Sequence, residues 1–106
     1  MKARHSIDPD RERALGMARK LILEMLHDID ARVYLFGSSA NGTHRKWSDI
    51  DIAVDPRKPL PAGLLSNVCE AFEESAIPFD VEVVDLQEAT PEFRTRVRRE
   101  GILWRG

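Results

Sequence analysis

A chain of 106 residues is long enough to bury roughly two-thirds of its unfolded surface around one core, so a single domain over residues 1–106 is expected and a second is not. Its 16 basic and 18 acidic residues leave a net charge of −2, which excludes a global field that would hold nucleic acid or a membrane surface. The one cysteine, Cys69, cannot close an internal disulfide, residues 1–6 lead into no apolar segment, and no apolar run approaches a membrane span, so a soluble cytoplasmic protein is expected.

Asp8-Pro9 reads as a helix cap followed by proline at the first helical position, with Asp10 and Glu12 near the positive end of the helix dipole. Ala14, Leu15, Ala18, Leu21, Ile22, Met25, Leu26 and Ile29 then recur at helical spacing and predict one long amphipathic helix. His27 on this helix has no partner at metal-ligand spacing and reads as a surface histidine. Residues 32–36 predict a short apolar strand. It breaks at Gly37-Ser38, where small residues expose backbone N–H groups at a strand-to-helix turn suited to phosphate oxygens. The spacing from Gly37 to Gly42-Thr43 is not a P-loop, because Thr43 stands where that loop needs lysine. The loop Thr43-His44-Arg45-Lys46-Trp47-Ser48 either brings a cation to a phosphate or is simply solvated.

Residues 49–54 predict a second strand carrying carboxylates at i and i+2. Asp49 and Asp51 share one face, while Ile50, Ile52 and Val54 share the other. The two side chains leave the backbone roughly 7 Å apart and can lean toward metal ions about 3.5–4 Å from one another. All-oxygen ligands suit magnesium, which fills its remaining positions with water and substrate phosphate.

A proline-rich connection over residues 55–61 is expected to be extended. It leads to a helix over 62–74 with Leu64, Leu65, Val68, Ala71 and Phe72 on its apolar face; Cys69 reads as a small buried residue there, and Glu70, Glu73 and Glu74 as the solvated face. A third strand is predicted over 79–86, with Asp80, Glu82 and Val84 on one face and Val81 and Val83 on the other. Two acidic residues on one face of an apolar strand call for a compensating charge, and a cation is one. Thr90-Pro91-Glu92 opens a last helix that Gly101 closes, with Phe93 and Val97 as its apolar contacts. Arg94, Arg96, Arg98 and Arg99 crowd it, where cations favour the helix end, and residues 102–105 predict an edge strand.

Gly37-Ser38 after an apolar strand, ten intervening residues and then Asp49-Ile50-Asp51 resemble the signature of the DNA polymerase beta-like nucleotidyltransferase superfamily. Within it, Gly-Ser-x-Ala-x-Gly from Gly37 and Ser-Asp-Ile-Asp from Ser48 resemble the minimal nucleotidyltransferases, small prokaryotic proteins; the likeness runs from about residue 12 to the end of the chain. With the elements above, this implies an α/β (α+β) fold: a small mixed sheet, helices mainly on one face, and the metal site on or near the other. The resemblance implies a third carboxylate on the strand after the intervening helix. The matching position is Glu82, one methylene longer than the usual aspartate, with Asp80 in reserve.

The resemblance further implies roles. Gly37 and Ser38 would bind the β- and γ-phosphates of ATP or another nucleoside triphosphate. Asp49, Asp51 and Glu82 would hold two magnesium ions, and Glu82 would help remove the acceptor's proton. Proteins of this kind are typically partnered by a small helical HEPN toxin, and some transfer AMP to one of its tyrosines as the antitoxin of the pair. A homo- or hetero-oligomer is compatible with that. The chain has no room for a template-binding domain, so polymerisation on nucleic acid is not expected. Two alternatives stay open: a non-catalytic antitoxin acting by contact, and a small-molecule nucleotidyltransferase whose substrate domain comes from a partner chain.

Overall fold

The apolar spacing from Ala14 onward does form one helix, α1 (Pro9–Met25), in the computed structural model, which describes residues 9–37 and 49–106. Asp10 and Glu12 occupy its first turn, while the expected cap, Asp8, lies outside the described residues. The helix stops short of Ile29, although Ile29 still packs against the core. Arg105, from the far end of the chain, holds this end: its guanidinium donates to the carbonyls of Leu26, Ile29 and Ala31 at 2.9, 2.6 and 3.0 Å. Those donors satisfy carbonyls that the finished helix and its turn leave over. His27 is exposed beside the Glu24 carbonyl, as a surface histidine should be.

β1 (Ala31–Phe36), β2 (Ile50–Pro56), β3 (Val81–Asp85) and β4 (Ile102–Arg105) form a mixed sheet in the order β3-β2-β1-β4. β1 runs antiparallel to both β2 and β4, and β2 runs parallel to β3. Parallel neighbours need a crossover, here provided by α2 (Leu64–Glu73). β2 extends two residues past the expected 49–54 because Asp55 and Pro56 still pair with Arg32 and Ala31. β3 is shorter than the expected 79–86: the Asp85 carboxylate accepts the Gln87 amide at 2.9 Å and turns the chain into a 3-10 turn, Leu86–Glu88. Among the described residues, no helix is long and apolar enough to cross a membrane.

The sheet has two unequal faces. Val33, Leu35, Ile50, Ile52 and Val54 point to α1 and α2 and build the main core with Ala18, Ile22, Val68 and Phe72. Cys69 in α2 is half-buried. Tyr34 and Ala53 point the other way and meet Leu86 and Val97. This second face is covered by α3 (Pro91–Glu100), whose cap Thr90 accepts the Phe93 amide at 3.2 Å. Helices therefore lie mainly on one face, as expected, with α3 shielding part of the other. Gly101 does end α3, but with φ −73° it is not a left-handed cap. Glycine is needed there by close approach, since a Cβ would stand 2.7 Å from the Val97 carbonyl oxygen and 3.2 Å from that of Leu35.

Two of the α3 arginines hold the fold. Arg94 donates to the Leu86 carbonyl at 3.1 Å. Arg98 grips Asp55 with two bonds of 2.9 and 3.0 Å, and the Asp55 side chain is only 9% exposed. Arg98→Ala would leave that carboxylate without its fork of donors. It is expected to cost about 1.5–3 kcal/mol, read as a lower urea midpoint at unchanged slope.

Candidate active site

The alternation of β2 puts Asp51, Ala53 and Asp55 on the face away from the main core, and the register decides what lies beside them. Phe36 of β1, Asp51 of β2 and Glu82 of β3 form one row across three strands. Asp49 immediately precedes β2 and is exposed, Asp51 is half-buried, and Glu82 is exposed. The sheet thus gathers the expected carboxylates at one end, where β1 finishes and β2 and β3 begin. Asp80 is exposed and lies before β3; its backbone carbonyl accepts the Ile50 amide at 2.9 Å, which helps align the two strand starts.

Asp51 is the electrostatic centre of the group. Burial is the largest cause of a carboxyl pushed above its ordinary range, followed by the charges of Glu82 and Asp49 and a side-chain hydrogen bond with Glu82. Arg11 acts in the opposite direction. Among the described residues, no three acidic, histidine or cysteine side chains converge closely enough to form a ready-made ion cage. The donor set is all oxygen and fits a hard divalent ion, which would reverse the effect that raises Asp51.

Gly37 follows β1 with φ +75°. A Cβ there would lie 2.6 Å from Oδ2 of Asp51, so the glycine also leaves room for the carboxylate. Ser38, the other expected phosphate-binding residue, and the basic loop 43–48 lie outside the described residues. Arg11 belongs to the site's surroundings and was not among the expected residues. It donates to the Asp49 carbonyl at 3.0 Å and lies 5.0 Å from the centre of the Phe79 ring. The signal was its position: Arg11 extends the stripe of buried residues Ala14, Ala18 and Ile22 by one more turn.

A cavity of about 590 Å³ opens at the opposite end of the sheet, around Ala31, Arg32, Asp55, Arg57, Arg98 and Arg105, and includes none of Asp49, Asp51 and Glu82. Its arginines are largely engaged: Arg98 with Asp55, Arg57 with Asp30 at 3.4 Å, and Arg105 with backbone carbonyls. It is not the candidate site.

Residues 20–104 match the family described as polymerase beta, nucleotidyltransferase. The chain belongs to this family. The matched residues of this nucleotidyltransferase run from within α1 to β4 and contain the whole carboxylate row. A probable protein adenylyltransferase MntA of Haemophilus influenzae is 35% identical over 80 residues, covering 76% of this chain and 69% of that protein. The protein adenylyltransferase MntA of Shewanella oneidensis is 40% identical over 77 residues, 68% of this chain and 52% of that protein, so the chain spans about half its length. Of solved structures, a toxin–antitoxin with AMP-PNP matches with a TM-score of 0.67 and 32% identity, over 83% of this chain and 73% of that one. A tri-AMPylated Shewanella oneidensis HEPN toxin in complex with MNT antitoxin matches with a TM-score of 0.61 and 27% identity, over 86% of this chain and 71% of that one. The fold is that of the polymerase beta-like nucleotidyltransferases.

Proposed function

We propose that this nucleotidyltransferase moves AMP from ATP to a hydroxyl of a HEPN-type partner protein, and is the cytoplasmic antitoxin of a HEPN/MNT pair. The observation that carries this reading is the row that sets Glu82 directly beside Asp51, with Asp49 at the same strand end and the Gly37 turn against the Asp51 carboxylate. Relatives named as protein adenylyltransferases, and the AMPylated HEPN toxin in a similar complex, support AMP as the group moved and a protein as its acceptor.

In this reading one nucleotidyltransferase domain spans residues 1–106. The backbone at Gly37, with Ser38, binds the β- and γ-phosphates. Asp49, Asp51 and Glu82 are the residues that would hold two magnesium ions. Bound there, magnesium would neutralise charge on the α-phosphate and on the departing pyrophosphate. The acceptor's hydroxyl oxygen forms its bond to the α-phosphorus in line as the bridge to the β-phosphate breaks, and pyrophosphate leaves with the bonding pair. Glu82, exposed at the edge of the row, takes the hydroxyl proton.

The test is transfer of label from α-labelled ATP, with magnesium, to the HEPN partner, comparing this chain with its Asp49→Ala/Asp51→Ala form. Label that reaches the partner and disappears with the double substitution is the expected result. Glu82, where the family usually has aspartate, favours one second reading, an antitoxin that works by contact alone. No label from any nucleotide, with tight binding of the two proteins intact, would put that reading in place of catalysis.

A further inference from the structure

We infer that Arg11 is a positioning residue for the carboxylate row: held inside the fold by α1, it fixes the backbone of Asp49 and so sets where Asp49 and Asp51 present their carboxylates. The inference rests on the magnesium reading above and concerns a residue that precedes the family match, which begins at residue 20.

Arg11 is 1% exposed and is the charged residue in the buried class among the described residues. Removing a guanidinium from water is costly, so its place must be compensated by what surrounds it. Its Nη2 donates to the Asp49 carbonyl at 3.0 Å, a bond across 38 positions of sequence. The guanidinium lies 5.0 Å from the centre of the Phe79 ring, within the range of a cation–π contact. Asp80, next to Phe79, accepts the Ile50 amide at 2.9 Å, next to Asp49. One side chain therefore joins the start of α1 to the entries of β2 and β3, the same strand end that carries the three carboxylates.

The placement does more than fill the core. A buried apolar residue would fill the same space but offer Asp49 no donor. A donor to the backbone of Asp49, placed inside the fold, holds the ligands in place without closing the side a metal–nucleotide complex would approach. Outer groups that orient metal ligands typically matter by roughly 10–100-fold in metal affinity. Arg11 works through backbone, so the lower end of that range applies.

The experiment is calorimetric binding of AMP-PNP to the full chain in excess magnesium and again in EDTA, for the unaltered protein, Arg11→Met and Arg11→Lys. Far-UV circular dichroism melts check that each is folded at the titration temperature. The unaltered chain is expected to bind more tightly with magnesium. Arg11→Met should lose about tenfold of that metal-dependent gain while its affinity in EDTA stays unchanged. Arg11→Lys, which keeps a cation and a donor, should retain most of the gain. A gain preserved in Arg11→Met overturns the inference even if its melting temperature falls, because Arg11 then only supports the fold. Should Arg11→Met not fold, Phe79→Leu, which removes the ring beneath the guanidinium, is expected to reduce the gain, and an unchanged gain there overturns the inference equally. No metal-dependent gain in the unaltered chain would overturn the magnesium reading itself, and this inference with it.

Discussion

Asp51→Asn is expected to lower nucleotidyl transfer by about 10³-fold or more and, at the same time, to raise the melting temperature of the metal-free protein. The loss of activity follows from removing a ligand at the centre of the row, because charge stabilisation by a bound metal is typically worth several kcal/mol in the transition state. The gain in stability follows from the cost of the charged form. Burial, Glu82 and Asp49 all push the Asp51 carboxyl up from its usual 3.8. A carboxyl raised on folding binds more protons in the folded than in the unfolded state between its two pKa values, so stability rises as pH falls through the folded value. At neutral pH the ionised group is a burden on the fold, and the neutral amide removes it. Much of the group is open to solvent, so screening keeps the rise small. Melts in EDTA at neutral pH should show the rise, and the difference between the two proteins should close on acidification below the carboxylate range. Magnesium should raise the melting temperature of the unaltered chain and have little effect on the variant. A variant less stable than its parent in EDTA would show that Asp51 supports the fold.

The parts of this structure that could be read from sequence are those with local causes. Thr90-Pro91 starts α3 as a cap and first-turn proline should, and the alternation of Asp49, Ile50, Asp51 and Ile52 puts the apolar side chains in the core and Asp51 on the opposite face. The contact between Asp51 and Glu82 has no local cause. It comes from a parallel pairing made across the proline-rich connection and α2; alternation marked Asp80 and Glu82 together as calling for a cation, and the resemblance to a known family singled out Glu82. The end of β3 escaped the alternation because Asp85 uses its carboxylate on its own backbone and starts a 3-10 turn where the apolar pattern continues to Leu86. Arg11 escaped because charged residues in a first helical turn are ordinarily solvated; its burial depends on Phe79 and Asp49, far away in sequence.

The arginines separate the two ends of the sheet by role. At the end away from the carboxylates, Arg98 secures Asp55 and Arg105 the turn after α1, so part of the basic character of the last helix is used in holding the fold. At the other end, Arg11 is bonded to the backbone of Asp49 beside the row. The net charge of the whole chain says nothing of this division, because it sums both ends into one figure.

Gly37→Ala is expected to reduce transfer by about 100-fold while costing only about 1–2 kcal/mol of stability. Two effects meet at this residue. Its φ of +75° is unfavourable for any residue with a Cβ, which accounts for the stability term. The new methyl group would also stand 2.6 Å from Oδ2 of Asp51, a distance that cannot persist. The atom in the way is the end of a short side chain, so the contact is relieved by turning the Asp51 carboxylate rather than by moving the sheet. The fold survives, and the metal ligand loses its orientation. Gly63 supplies the control, because it has φ +82° at the start of α2 and a Cβ there would meet nothing within 4 Å. Gly63→Ala should show a similar backbone cost and near-normal transfer. Denaturant midpoints and turnover measured on both variants separate the two effects: equal losses of activity would assign the Gly37 defect to backbone strain, whereas a loss confined to Gly37→Ala assigns it to the displaced carboxylate of Asp51.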